Sequence, residues 1–219
     1  MAIENKRLGA SSPSATTWTT LYTTSGVSAI VRGLSICNRS TSDITVSVAC
    51  YSSGEAATDT DRCIMNSYSV LANTTAFLSY GIGTSDGDTL AVYTSAATAS
   101  FVAWGAEVSA ISDKPKRLGG VAPSATTNTS LYAVPTNTIT SVSTINVCNR
   151  GVAGTFRVAH VDAAIGSVAN EDYILYDCVI EANDTIAINM PISMSATHSI
   201  LVYASHTDFT FMAWGSEIL

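Results

Sequence analysis

The stretch Lys6–Tyr22 reads KRLGASSPSATTWTTLY, and Lys116–Tyr132 reads KRLGGVAPSATTNTSLY. Twelve of these seventeen positions are identical at a constant offset of 110. The closing segments agree at the same offset: Phe101–Glu107 is FVAWGAE and Phe211–Glu217 is FMAWGSE. A period this long exceeds that of solenoid or propeller repeats and matches a whole small domain. The repeat predicts two domains, 1–110 and 111–219, joined by a linker at Val108–Pro115 that Pro115 stiffens. A duplicated module points to a structural or binding part rather than to one catalytic pocket.

Between the repeated ends the chain is rich in β-branched runs. Strands are predicted over Val27–Cys37, Ile44–Tyr51, Ile64–Leu71, Ala76–Tyr80, Thr89–Thr94 and Ser100–Trp104. The second half repeats them at Ile139–Cys148, Thr155–His160, Tyr173–Ile180, Thr185–Met190, Ser199–Ala204 and Phe209–Trp214. Turn residues separate them, as at Ser53-Gly54, Ser85-Asp86-Gly87 and Asn149-Arg150-Gly151. This spacing predicts an all-β protein of two tandem antiparallel β-sandwich domains, Ig-like or jelly-roll-like. Helix is confined to short turns around Ala56–Asp61 and Gly166–Glu171. The RLG segments, followed by Pro13 or Pro123, read as extended arms leading into strands at Leu21-Tyr22 and Leu131-Tyr132.

The net charge is −7, and the chain is 47% hydrophobic but only 12% charged. No basic stripe exists to neutralise phosphates, so no nucleic-acid partner is expected. The low charge suits a surface covered by partners, and equally a Ser/Thr-rich exterior. No apolar run reaches membrane-helix length and MAIENKRLGA lacks a hydrophobic signal region, so no membrane partner and no secretion signal are expected. The sequons at Asn38, Asn73, Asn128 and Asn183 are then chance matches.

Few residues suggest chemistry. Cys37, Cys50, Cys63, Cys148 and Cys178 show no CxxC spacing and read as small buried apolar residues in a reducing compartment, with a Cys37–Cys50 disulfide disfavoured. His160, His198 and His206 lack a metal-binding pattern, although His198, His206 and Asp208 would form a site if they converged. Asp59, Asp61, Asp86 and Asp88 lie in loops without calcium-loop spacing and read as solvated acids. There is no nucleophile elbow and no phosphate-binding glycine loop. No catalytic, cofactor-binding or metal residue is nominated, no cofactor is expected, and the protein reads as no enzyme. Trp104 and Trp214, in the AWG motifs, read as core plugs of their sandwiches. Trp18, whose repeat position holds Asn128, reads as a surface anchor. A glycan- or receptor-binding adhesin module would use an exposed aromatic platform, with Trp18, Tyr51, Tyr68 or Tyr80 as first suspects.

The succession RLG, Pro and TxTxLY, then VCNRG, TFRVA, YILYD, ANDTI, LVYAS and the closing AWGxE resembles a small β-domain of tailed-bacteriophage virion structural proteins, in phages of cyanobacteria and marine bacteria. The second half carries it most fully, at Arg117–Gly119, Cys148–Gly151, Phe156–Ala159, Tyr173–Asp177 and Ala182–Thr185. The first half keeps the opening, Cys37–Arg39, Ala72-Asn73 and the close, but has RCIMNSYS in the middle. The resemblance implies a virion location, with assembly in the host cytoplasm. It implies a part of the tail, neck or fibre system, or a protein decorating the capsid. The implied partners are other virion proteins, capsid or tail components, in a homo-oligomer or symmetric array.

Overall fold

The computed structural model describes residues 2–109, 113–162 and 168–218. The first half forms β1 (Ala2–Ser11), β2 (Thr19–Thr23), β3 (Ser28–Asn38), β4 (Ile44–Tyr51), β5 (Cys63–Val70), β6 (Thr75–Leu78), β7 (Ile82–Thr84), β8 (Thr89–Thr94) and β9 (Ala99–Ser109). The second half repeats the series as β10 (Pro115–Val121), β11 (Thr129–Ala133), β12 (Ile139–Asn149), β13 (Gly154–Val161), β14 (Tyr173–Ile180), β15 (Thr185–Ile188), β16 (Ile192–Met194), β17 (Ser199–Ala204) and β18 (Phe209–Ile218). Among the described residues helix is limited to 3-10 turns at Thr60–Arg62 and Asn170–Asp172. The two expected helical turns are thus met by single turns slightly further along, and residues 166–167 lie outside the described residues.

Two sheets make each domain. In the first, the orders are β1-β9-β3-β6, with β7 also on β3, and β2-β8-β4-β5. In the second they are β10-β18-β12-β15, with β16 on β12, and β11-β17-β13-β14. All pairings are antiparallel. Two facing sheets with this order are a jelly roll, which decides between the two sandwich topologies expected. The cores are Leu34, Ile36, Val46, Val92 and Phe101 in the first domain, and Val147, Phe156, Val158, Val202 and Phe211 in the second.

Three expectations are corrected. The RLG segments are not arms: β1 and β10 are edge strands paired along β9 and β18. Their backbone amides find partners about a hundred residues away, which no local pattern reveals. The linker is shorter than Val108–Pro115, because β9 runs to Ser109 and β10 starts at Pro115. The 110/111 boundary itself lies outside the described residues. Finally, β9 and β18 extend well past the AWG motifs where strands were expected to stop.

The structure explains why the two ends of each half share a vocabulary. A bulge separates Arg7 from Gly9, and its twin separates Arg117 from Gly119. A Cβ on Gly9 or Gly119 would stand 2.0 Å from the carbonyl oxygen of Leu21 or Leu131. Lys6 Nζ pairs with Glu107, which also accepts a 3.0 Å hydrogen bond from the Tyr22 hydroxyl. Lys116, Glu217 and Tyr132 repeat this clasp, with 2.7 Å for both contacts. The repeated lysines therefore tie first, second and last strands together rather than reaching outward.

The CNR motif has a comparable role. The buried Asn38 amide donates to the carbonyls of Ser42, Val70 and Leu71, and its oxygen accepts from the Ser40 amide. Asn149 makes the corresponding bonds to Val152, Ile180, Glu181 and Gly151. Each asparagine stitches a turn onto the neighbouring sheet edge, and an apolar replacement would orphan one buried carbonyl, Val70 or Ile180, and strip this donor from two part-buried ones.

Candidate interaction surfaces

Phe101 and Ala103 point into the first sandwich, so the alternating Val102 and Trp104 point out of it. The same alternation sends Phe211 and Ala213 into the second core and Met212 and Trp214 outward. The AWG tryptophans are therefore not plugs of their own sandwiches, as the sequence suggested. Phe and Trp stand three apart in each motif, an odd spacing that places them on opposite faces of a strand. Trp214 is nevertheless fully buried, because the first domain covers it. Met212 and Trp214 belong to the first domain's apolar cluster, with Tyr80 at 6.2 Å from the Trp214 ring.

The junction is built from one flank of the first domain and one sheet face of the second. The flank comprises the turn at Thr60–Arg62, β5, Tyr80 and β7. The face comprises β10, β18, β12 and β15. Tyr80 donates its hydroxyl to Asn146 Oδ1 at 2.7 Å, and the Asn146 amide donates to the Ile64 carbonyl at 3.0 Å. Thr185 Oγ1 donates to the same carbonyl, and Thr210 Oγ1 donates to the Thr60 carbonyl. The Cys63 and Cys148 sulfurs lie 3.7 Å apart across the seam. Two glycines permit the close approach: a Cβ on Gly83 would meet the Lys116 backbone at 2.8 Å, and one on Gly120 the Asp61 carbonyl at 2.8 Å.

A charged lock closes the rim. Glu55 Oε1 accepts from Arg62 at 2.7 Å. Its Oε2 accepts from Arg117 of the second domain at 2.9 Å and from the Ser52 amide at 2.6 Å. Arg117 also donates to Ser52 Oγ at 2.8 Å. Burial alone would raise the Glu55 carboxyl, but the Arg62 hydrogen bond, the Ser52 amide and Arg117 together bring it down to about 2. A lowered carboxyl stabilises the fold above its unfolded value near 4.5 and ceases to do so as pH falls toward 2. Glu55→Gln is expected to cost about 1–2 kcal/mol at pH 7. The gap from wild type should narrow as pH drops from 4.5 toward 2. Urea midpoints at pH 7 and pH 3 check this, and a gap that widens in acid would contradict it.

The same surfaces recur, uncovered, on the other side of each domain. Trp104 is 44% exposed where Trp214 is buried, and Phe77 is 70% exposed where Ala187 packs on the first domain. The second domain's flank carries Tyr173 and Tyr176 in an edge-to-face pair with centroids 4.8 Å apart. Arg157 lies 4.0 Å over the Tyr176 ring and 4.5 Å over that of Tyr203, and binds both oxygens of Asp177 at 2.6 and 3.1 Å. Tyr176 remains 57% exposed. Rings held this way by a paired arginine are ordered before any partner arrives.

The remaining sequence candidates fall in several places. His198 and His206 sit before and after β17, on the order of 20 Å apart, so His198 does not join His206 and Asp208. His198 instead faces His160, with ring nitrogens 3.0 Å apart, and burial together with His198 holds the His160 imidazole below its usual range. His206 contacts the Val152 carbonyl and lies 3.9 Å from Asp208. Among the described residues no three His, Cys, Asp or Glu side chains form a metal-holding group. Asp88 is not a solvated acid: it is buried, accepting from Ser52 Oγ and the Ser85 amide. All five cysteines are free thiols. Cys50, Cys63 and Cys148 are buried as expected, whereas Cys37 and Cys178 are partly exposed. Tyr80 belongs to the junction, not to an exposed platform, and Tyr51 and Tyr68 are half-buried. Trp18 packs on Tyr93 at 5.6 Å and borders a cleft of about 210 Å³ with Asp59, Asn66 and Arg150. Among the described residues no helix is long and apolar enough to cross a membrane.

No protein family model and no curated protein matches the sequence. Among solved structures, the chain is similar to the STIV MCP at 11% identity and a TM-score of 0.37, covering 100% of this chain and 97% of that one. It is also similar to a chain in the atomic structure of Sulfolobus Turreted Icosahedral Virus, at 11% identity and TM-score 0.39 over 99% and 91% of the two chains. The tandem CBM22-1–CBM22-2 domain of Paenibacillus barcinonensis Xyn10C follows at 9% identity and TM-score 0.26, over 99% and 90%. The fold assignment rests on the strand pairing itself, not on likenesses at these scores.

Proposed function

We propose that the chain is a non-enzymatic structural component of a tailed-phage virion. In this reading it is part of the tail, neck or fibre assembly or decorates the capsid surface through protein–protein contacts, as a tandem duplication of one jelly-roll module. The observation that carries the proposal is the pair of AWG tryptophans, one covered by a domain of the same chain and its twin left facing outward. A large apolar side chain at that place on a sheet face suits a protein partner. The sequence resemblance to virion β-domains supports the same reading and supplies its setting, particle partners and assembly in the host cytoplasm, while the acidic, motif-poor sequence carries the expectation of no cofactor and no nucleic-acid or membrane contact. Gold-labelled antibody on intact particles from the source tests it. Label on capsid or on tail supports the reading and chooses the position. Particles that carry none would overturn it.

A second reading, glycan or receptor binding, is favoured by the Trp18 cleft, where an aromatic face meets Asp59, Asn66 and Arg150. Sugars bind through stacking on such a ring with polar groups at its rim. If this reading holds, a glycan array gives saturable binding that Trp18→Ala weakens about tenfold or more. Binding that survives the substitution would place the site elsewhere.

A further inference from the structure

The junction inside the chain shows how two of these jelly rolls fit together, and it uses only half of the surfaces that the two domains share. We infer that copies of this chain associate head to tail, the β14 flank of one copy docking on the β9 sheet face of the next as β5 docks on β18 within the chain. The inference deepens the structural reading above by naming partner and surface, and rests on it only in treating the chain as an assembly part.

Several covered residues of the junction have counterparts that are exposed or partly exposed. On the sheet face, Trp214, Met212, Ala187 and Cys148 correspond to Trp104, Val102, Phe77 and Cys37. On the flank, Cys63, Ile64 and Asn66 correspond to Tyr173, Ile174 and Tyr176. The free surface adds rings at Phe77, Tyr173 and Tyr176, where the covered one has Ala187, Cys63 and Asn66, and large exposed aromatics are the residues that dominate protein–protein contacts. Trp104, Phe77 and Tyr176 are all exposed by more than two fifths.

Charge follows the same logic. Within the chain Arg117 meets Ser52 and Glu55. Its counterpart, Arg7, is exposed, and the counterpart of Ser52 is the exposed Asp162. Repeating the geometry therefore brings an arginine against a carboxylate. Several differences make the repeated contact looser than the internal one, among them the loss of the Tyr80–Asn146 hydrogen bond, whose positions hold Met190 and Ser35. Gly83 and Gly120, which admit backbone at 2.8 Å, correspond to Ser193 and Ala10, so the neighbouring copy must sit back by a few tenths of an ångström there. The contact is heterologous, joining two different surfaces, so it generates a closed ring or an open filament according to the rotation between copies.

The experiment uses the cysteine pair as a ruler. Cys63 and Cys148 meet at 3.7 Å inside the chain, so Tyr173→Cys places a thiol opposite Cys37 of the next copy. With oxidised glutathione as acceptor of the two electrons, the two thiols lose their protons and join as a disulfide, leaving two molecules of glutathione thiol. The expected result is a non-reducing gel with multiples of 22.8 kDa. These should disappear when Cys37→Ser is added. In parallel, sedimentation velocity of the unaltered chain should show mass rising with concentration. Trp104→Glu, an exposed change that leaves both cores intact, should weaken that association about tenfold or more. Arg7→Glu should weaken it too, and Arg7→Glu with Asp162→Arg should restore it. A strictly monomeric chain, or cross-links that persist without Cys37, would overturn the inference. Gold label on particles alongside such a failure would leave the virion reading standing. Self-association without label would do the reverse.

Discussion

Trp214→Ala is expected to cost about 3–5 kcal/mol, the range for emptying a fully buried aromatic site. Trp104→Ala, the same change in the same motif at the same point of the equivalent strand, should cost under about 1 kcal/mol. The contrast isolates the junction, because each tryptophan points away from its own sandwich and only Trp214 has another domain over it. Its removal leaves a void beside Tyr80 and Met212 and frees the two domains from each other. At dilutions where the chain is monomeric, differential scanning calorimetry should show wild type and Trp104→Ala melting together and Trp214→Ala melting roughly 10 °C lower. The Trp214→Ala transition should also broaden or split as the domains uncouple. Equal losses from the two substitutions would mean that the seam contributes nothing.

An equally large effect is expected from the glycine that follows each tryptophan. A Cβ on Gly215 would lie 2.0 Å from the Ser141 carbonyl oxygen and 2.9 Å from Val142 Cα, and one on Gly105 would lie 2.0 Å from the Ile30 oxygen. These contacts involve paired backbone at bulges between Val31 and Gly33 and between Val142 and Thr144, so no rotamer change relieves them. Gly105→Ala and Gly215→Ala should each cost about 4 kcal/mol or more and sharply lower the soluble yield. Gly54→Ala serves as the comparison: φ there is +88°, but nothing lies within 4 Å, and the cost should stay near 1 kcal/mol. Soluble yield and circular dichroism of the three variants decide the matter. A well-folded Gly215→Ala protein would refute the close approach at the bulge.

Much of the architecture is legible in the residues, for reasons the structure makes plain. The repeated KRLG and AWG segments persist because they meet in space as neighbouring edge and centre strands, and their glycines have carbonyls where side chains would be. The β-branched runs lie on strands because their alternation matches the pleat. Other features depend on partners far along the chain. Lys6–Ser11 has no apolar alternation of its own and is a strand only because β9 supplies its hydrogen bonds. The offset between the halves is 110 at β2 and β11 but 111 at β3 and β12, and it returns to 110 at β4 and β13. The turn after β2 is one residue shorter than the turn after β11, and the next turn compensates. The junction has the least sequence signal: Cys63 and Cys148 are not repeat equivalents, and Tyr80 and Asn146 occupy positions held by Met190 and Ser35 in the opposite halves. An interface between unlike faces of like domains leaves no symmetric trace in either copy.

The pairing of first and last strands also sets a timetable for synthesis. Ala2 pairs with Ser109, so the first jelly roll cannot close its sheet until the ribosome has released that whole span. Its Tyr80 flank then stays bare until Met212 and Trp214 emerge about a hundred residues later, roughly 5–20 s at ordinary elongation rates. During that interval the nascent chain displays an apolar flank resembling the one it keeps on β14. Neighbouring ribosomes on one message would hold such flanks close together, so crowded translation is the stage at which premature pairing between chains has its best opportunity.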